Sequence, residues 1–121
     1  MGSRTGPPTW PPGAWLTPVP RVNANGLRAR NAGVESLVTF FLQDAMTVDV
    51  SPATVVTLYL VATSNLRLRP ILTKQLTPGS RIVSHNFGMG NWEPDEVLNL
   101  KDSRGTTRTL YLWRADGKVR D

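Results

Sequence analysis

The residues ATVVTLYLVA, Ala53 to Ala62, form the most apolar run of the chain and do most to limit its fold. The run shows no alternation of apolar and polar positions, as in a strand covered on both faces. It leads into NLRLRPILTKQL, Asn65 to Leu76, where Leu66, Ile71, Leu72 and Leu76 mark a helix. Pro70 fits best near the first turn of that helix, where its missing N–H costs nothing. TPGS, Thr77 to Ser80, is a turn, and RIVSHNF, Arg81 to Phe87, reads as the next strand. Val97 to Leu100 and Thr109 to Trp113 flank Gly105 and predict a hairpin. Buried strands alternating with helices indicate an α/β sheet with parallel members.

Upstream, Leu37 to Asp44 (LVTFFLQD) is a short apolar run rich in β-branched and aromatic residues, and predicts another strand. Val22 to Asn31 is a weak, mostly polar helix, and Gly33 suits the left-handed residue that ends one. The first twenty residues differ in kind: they hold six of the ten prolines, and Pro7-Pro8 and Pro11-Pro12 favour extended polyproline geometry. Residues 1–20 are therefore read as a disordered proline-rich segment, and residues 21–121 as the folded domain.

The 121 residues suffice for one domain with a modest core. With no cysteine, disulfides, thiolate metal sites and cysteine nucleophiles are excluded. No apolar run approaches the roughly 18 residues that cross a bilayer, and the expectation is a soluble cytoplasmic protein. The net charge of +5 is uneven. Residues 91–121 carry six basic and six acidic side chains, so the excess lies in the first ninety. A basic face attracts nucleic acid through its phosphates, and it equally describes an ordinary solvated surface.

Three places invite a chemical reading. In SRIVSHNFGMGNW, Ser80 to Trp92, Gly88-Met89-Gly90 follows a strand as a dinucleotide loop would. The third glycine is missing, however, and Pro94 stands where the phosphate-binding helix should run. His85 is the only histidine and has no cysteine to share a metal, so no metal site is expected. A general base and a satisfied polar residue at a strand end both remain open for it. Open α/β sheets bind ligands beyond the carboxyl ends of their strands, which makes the loop from Phe87 to Trp92 a pocket rim. Asp44 closes its own strand beside the apolar Ala45 and Met46. Its carboxylate either accepts a ligand amino group or caps a turn. Tyr59, near the next strand end, lines the same crevice or belongs to the core.

Taken together, ATVVTLYLVATSNLRLRPIL, PGSRIVSHNFGMGNWEPD and RTLYLW resemble a family of class I S-adenosylmethionine-dependent methyltransferases over roughly Asn23 to Trp113. The WxPD element, Trp92 to Asp95, is similar to a branch that includes protein-lysine methyltransferases. The resemblance implies a doubly wound, Rossmann-like sheet of order 3-2-1-4-5-7-6. Leu37–Asp44 would be strand three, Ala53–Val61 strand four and Arg81–Phe87 strand five. Val97–Leu100 and Thr109–Trp113 would be strands six and seven. It implies that Asp44 contacts the adenine amino group of S-adenosylmethionine, with Ala45 and Met46 beside it. Thr57 and Tyr59 would edge the methyl-transfer pocket, with His85 and Trp92 on its rim; no catalytic residue is implied. Relatives have proline after strand four where this chain has Ala62.

The glycine-rich GxGxG loop of the family's first strand and the ribose-binding acid of its second have no counterpart in the sequence. The expected fold is thus a partial doubly wound sheet lacking the first two strands. Glycines let the backbone approach the cofactor and the acid fixes the ribose, so the chain is expected to be inactive alone. Strand four would also be left with an unpaired edge, covered by strand three, by another chain through self-association, or by nothing. The reading is of the carboxyl-terminal part of a methyltransferase, its acceptor unknown and protein lysine suggested by WxPD. A basic RNA-binding module and an interaction subunit are the alternatives.

Overall fold

The computed structural model describes Ala14–Leu16 and residues 27–121, which divide into two units, Met1–Val48 and Asp49–Asp121. In the first unit, β1 (Ala14–Leu16) pairs in parallel with β2 (Thr39–Phe41), with Trp15 opposite Phe40. A strand within the proline-rich segment runs against the sequence expectation of neither helix nor strand there. In the methyltransferase order, the neighbour of strand three is strand two, and β1 holds that relation to β2. The rest of the 1–20 expectation lies outside the described residues.

Residues 27–31 are helical (α1), and the helix ends as Gly33 predicts. Gly33 adopts φ +73° and its N–H donates to the Arg30 carbonyl, while the Val34 N–H reaches back to Ala29. That pair of bonds satisfies carbonyls which the last turn would otherwise leave open. The strand expected over Leu37–Asp44 is shorter than predicted. Glu35–Leu37 form a 3₁₀ turn ahead of it, and Asp44 starts a second 3₁₀ turn, Ala45–Thr47, behind it.

The second unit is a four-stranded sheet with one helix. Its strands are β3 (Val55–Leu58), β4 (Arg81–His85), β5 (Glu96–Lys101) and β6 (Thr107–Arg114), in the order β3-β4-β6-β5. β3 and β4 run parallel, and β6 lies antiparallel to both β4 and β5. This is the 4-5-7-6 half of the implied methyltransferase order, and the mixed α/β class and partial doubly wound sheet stand. The predicted hairpin is β5–β6. Its turn is closed by Gly105 at φ +80° and by Asp102, whose Oδ1 accepts the Arg104 and Thr106 N–H groups at 2.9 Å.

The long helix α2 runs from Ala62 to Gln75. Ala62 is its first residue, a position proline tolerates well, so exchanging the relatives' proline for alanine leaves the helix start in place. Pro70 is not in the first turn, as predicted, but deep inside. It cannot bond the Leu66 carbonyl, and α2 carries that interruption because one face is well buried through Leu68, Leu72 and the following Leu76. Side chains alternate across a sheet, and Asn65 of α2 bonds Ser84 of β4. Ser84 therefore faces α2 together with Ile82, and Tyr111 and Trp113, their cross-strand partners, do the same. Ile82, Ser84 and Trp113 are fully buried there.

The opposite face corrects a second expectation. β3 was predicted to be covered on both sides, yet Val55 and Thr57 are exposed and Tyr59 beyond them is 79% exposed. Among the described residues β4 is the strand paired with β3, and the odd-numbered side chains of β3 leave the sheet away from α2.

Candidate functional site

The parallel pair β3–β4 points its carboxyl ends the same way, and Tyr59 and His85 stand there. Their rings stack at 4.5 Å between centroids with an interplanar angle of 28°. The ladder pairs Leu58 with Ser84, so Tyr59 opposite His85 continues it by one residue. Both rings, with Thr57 and Val83, are on the face away from α2. An exposed aromatic platform of this kind can take a planar or cationic group against its face.

The loop after β4 is fixed from the other side. Asn86 takes φ +64°, turning the chain sharply, and it is bound to β6 twice: its N–H donates to the Thr109 carbonyl, and its Oδ1 accepts the Thr109 N–H. Asn65 is wholly buried, and its Nδ2 lies 3.1 Å from the Phe87 carbonyl and 3.2 Å from that of Gly88. Ser84 Oγ is 3.0 Å from the same nitrogen. One turn further along α2, Arg69 Nη1 donates to the Met89 carbonyl and to Asn91 Oδ1, each at 2.9 Å. Gly90, at φ +65°, lies so close that a Cβ would sit 2.7 Å from Leu66 Cδ2. The motif NLRLRP is thus the clamp, and FGMGN is what it holds.

WxPD proves equally structural. The Trp92 carbonyl accepts Trp113 Nε1–H at 2.9 Å, and the Trp92 ring lies between Trp113 and the Arg120 guanidinium, 4.5 Å away. Asp95 accepts the Arg114 N–H through Oδ2, and its own N–H donates to the Leu112 carbonyl, which starts β5 against β6. Of the four predicted pocket residues, the structure joins Thr57, Tyr59 and His85 on one face. Trp92 packs against Trp113, on the face toward α2. Sequence reading missed the roles of Asn65, Arg69 and Asn86. Their signal was membership of the two quoted motifs, which gave them no task.

Asp44, Ala45 and Met46 belong to the first unit. Asp44 Oδ1 accepts the Met46 N–H at 2.9 Å and caps the 3₁₀ turn, so the capping alternative for this acid is realised. The carboxylate is exposed. For S-adenosylmethionine as a whole the described residues do not fit: neither a glycine loop nor an acid for the ribose accompanies Asp44. No methyl-transfer step is derived through the cofactor. Among the described residues, no group of three or more acids and histidine could hold a metal, and no helix is long and apolar enough to cross a membrane.

Comparison with known proteins identifies the family. The profile of the ANTKMT methyltransferase domain matches residues 16–96. The chain belongs to this family of class I methyltransferases. A protein-lysine N-methyltransferase of Saccharolobus islandicus (strain REY15A) is 46% identical over 66 residues, 54% of this chain and 40% of the relative. The chain therefore spans well under half the length of that curated relative. A crystal structure described as an RNA methyltransferase from Salinibacter ruber, in complex with S-adenosyl-L-homocysteine, superimposes with a TM-score of 0.79. It is 40% identical, and the match covers 91% of this chain and 69% of that one. The family match spans Asp44, Thr57, Tyr59, His85 and Trp92 alike.

Proposed function

We propose that this chain carries the acceptor-side part of an S-adenosylmethionine-dependent methyltransferase directed at protein lysine, and that it does not transfer methyl groups by itself. The observation that carries the reading is the Tyr59–His85 stack at the carboxyl ends of β3 and β4, beside the exposed Thr57. An aromatic face takes a lysine ammonium through its quadrupole, at about 0.5–2 kcal/mol depending on desolvation. The loop holding His85 is fixed by Asn65, Asn86 and Arg69, which keeps such a platform in one geometry. Inactivity in isolation rests on the missing glycine loop and ribose acid, since methyl transfer depends on holding the sulfonium carbon in line with its acceptor.

RNA is the second reading. It is favoured by the name of the Salinibacter neighbour and by the basic excess of the first ninety residues. A chimaera separates the two. The amino-terminal part of the Saccharolobus relative is placed ahead of Asn23, and transfer of labelled methyl from S-adenosylmethionine is followed to protein and to RNA. Labelled protein, falling about tenfold or more in Tyr59→Ala, is the expected result. Labelled RNA would favour the second reading, and a chimaera that binds the cofactor yet labels neither would overturn the acceptor-side assignment.

A further inference from the structure

Beside the Tyr59–His85 stack, three large hydrophobic side chains of the second unit are exposed: Val61 by 56%, Leu66 by 41% and Phe87 by 41%. Val61 follows Tyr59 by two residues, and Phe87 follows His85 by two. Backbone contacts gather them. Val61 caps α2, and its carbonyl accepts the Asn65 N–H at 3.1 Å. Asn65 Nδ2 donates to the Phe87 carbonyl, and the next residue, Leu66, packs where a Cβ on Gly90 would sit. The Phe87 N–H donates back to the His85 carbonyl at 2.9 Å. The first turn of α2 and the loop after β4 thus form one apolar wall beside the ring pair.

Charge decides what this wall suits. No Asp, Glu, Lys or Arg occurs from Val50 through Leu66, or from Ile82 through Trp92. A surface for RNA needs cations against the phosphates, and a charged peptide needs charges of opposite sign. Arg67 and Arg69 are the nearest cations in sequence. Arg69 is held by the Met89 carbonyl and Asn91, and Arg67 points about 100° around the helix from Leu66. Exposed apolar side chains gathered at one place mark a contact surface.

We propose that this wall receives an apolar side chain next to the acceptor lysine, so that the substrate is a protein segment whose lysine is flanked by leucine-like residues. This rests on the reading of Tyr59 and His85 as the lysine platform. The two surfaces take different parts of one segment. The ring pair takes the ammonium, and the wall removes neighbouring apolar surface from water.

Short peptides with a central lysine test this on the chain as it stands, by titration of its amide chemical shifts. The two positions on each side of lysine are leucine, serine or glutamate, and a fourth peptide has glutamine between leucines. The leucine peptide is expected to bind about tenfold more tightly than the serine peptide, shifting the amides of Val61, Leu66 and Phe87. The glutamate peptide should bind no better than the serine one. Phe87→Ser should shrink the leucine preference severalfold. Val61→Ser should do the same while supplying a good helix cap, so it decides if Phe87→Ser fails to fold. Equal binding of the leucine, serine and glutamate peptides would overturn the proposal. So would tighter binding of the glutamate peptide, or a leucine preference that Val61→Ser leaves intact. Stronger shifts at these amides from a single-stranded RNA oligonucleotide, or from a second copy as the chain is concentrated, would overturn it too. Tyr59→Ala keeps the two readings apart. If it weakens every lysine peptide while leucine gives no advantage, the platform stands and the wall falls. If it changes nothing and glutamine replaces lysine at no cost, the platform falls and the proposal with it.

Discussion

Asn65 and Gly90 bind the loop after β4 to α2 by different means. Asn65 has two amide hydrogens, which Ser84 Oγ and the carbonyls of Phe87 and Gly88 share. Asn65→Leu keeps the volume and takes the donor from Ser84 Oγ, which is buried, and from the two part-buried carbonyls. It should cost roughly 1–3 kcal/mol, read as a lower urea midpoint at unchanged slope. The two glycines of GMG make a sharper contrast. Gly90→Ala meets Leu66 Cδ2 at 2.7 Å and keeps φ +65°, whereas a Cβ on Gly88 meets nothing within 4 Å. Gly90→Ala should lose about 1–2 kcal/mol, and Gly88→Ala should change stability by under about 0.5 kcal/mol. Equal losses at both would contradict the packing described. What sequence alone offered at these positions was a short glycine pattern that argued against a phosphate loop. That Gly90 yields to Arg69 and Leu66 of α2 was not visible, because only folding brings them together.

Among the elements, the β5–β6 hairpin has its own pH signature. The Asp102 carboxyl is held below the usual carboxylate range, chiefly by the Thr106 N–H, with the Arg104 N–H and Arg108 adding to it against some desolvation. A carboxyl whose folded value is depressed stabilises the fold above its unfolded value, near 3.8, and ceases to as pH falls through the folded value. Asp102→Asn should therefore be less stable than the native chain at neutral pH, and the gap should shrink only below about pH 4. Urea unfolding at neutral pH and near pH 2 measures both; a gap that persists unchanged in acid would assign the effect to turn shape alone. The hairpin, the TPGS turn and the Gly33 helix stop were legible in advance because each is set by neighbours in sequence. Pro70 was misplaced because burial along Leu68 and Leu72 outweighs the local preference for proline in a first turn. β3 looked doubly covered because composition reports how apolar a strand is, not what packs on each of its faces. The short β1 was hidden by prolines on either side.

At the scale of the whole molecule, the order β3-β4-β6-β5 with α2 on one face is that of strands 4-5-7-6 in the methyltransferase sheet. The aromatic platform of Tyr59 and His85 is present, and Asp44 caps the turn that holds Ala45 and Met46. The glycine loop and the ribose acid have no counterpart among the 121 residues. Without those two parts most of a cofactor of this size stays in water, and binding energy scales with what is enclosed and held. Isothermal titration of the purified chain with S-adenosylmethionine, and with S-adenosylhomocysteine in parallel, measures this directly. The account predicts no saturable heat up to millimolar ligand. One-to-one binding with a micromolar dissociation constant would contradict it.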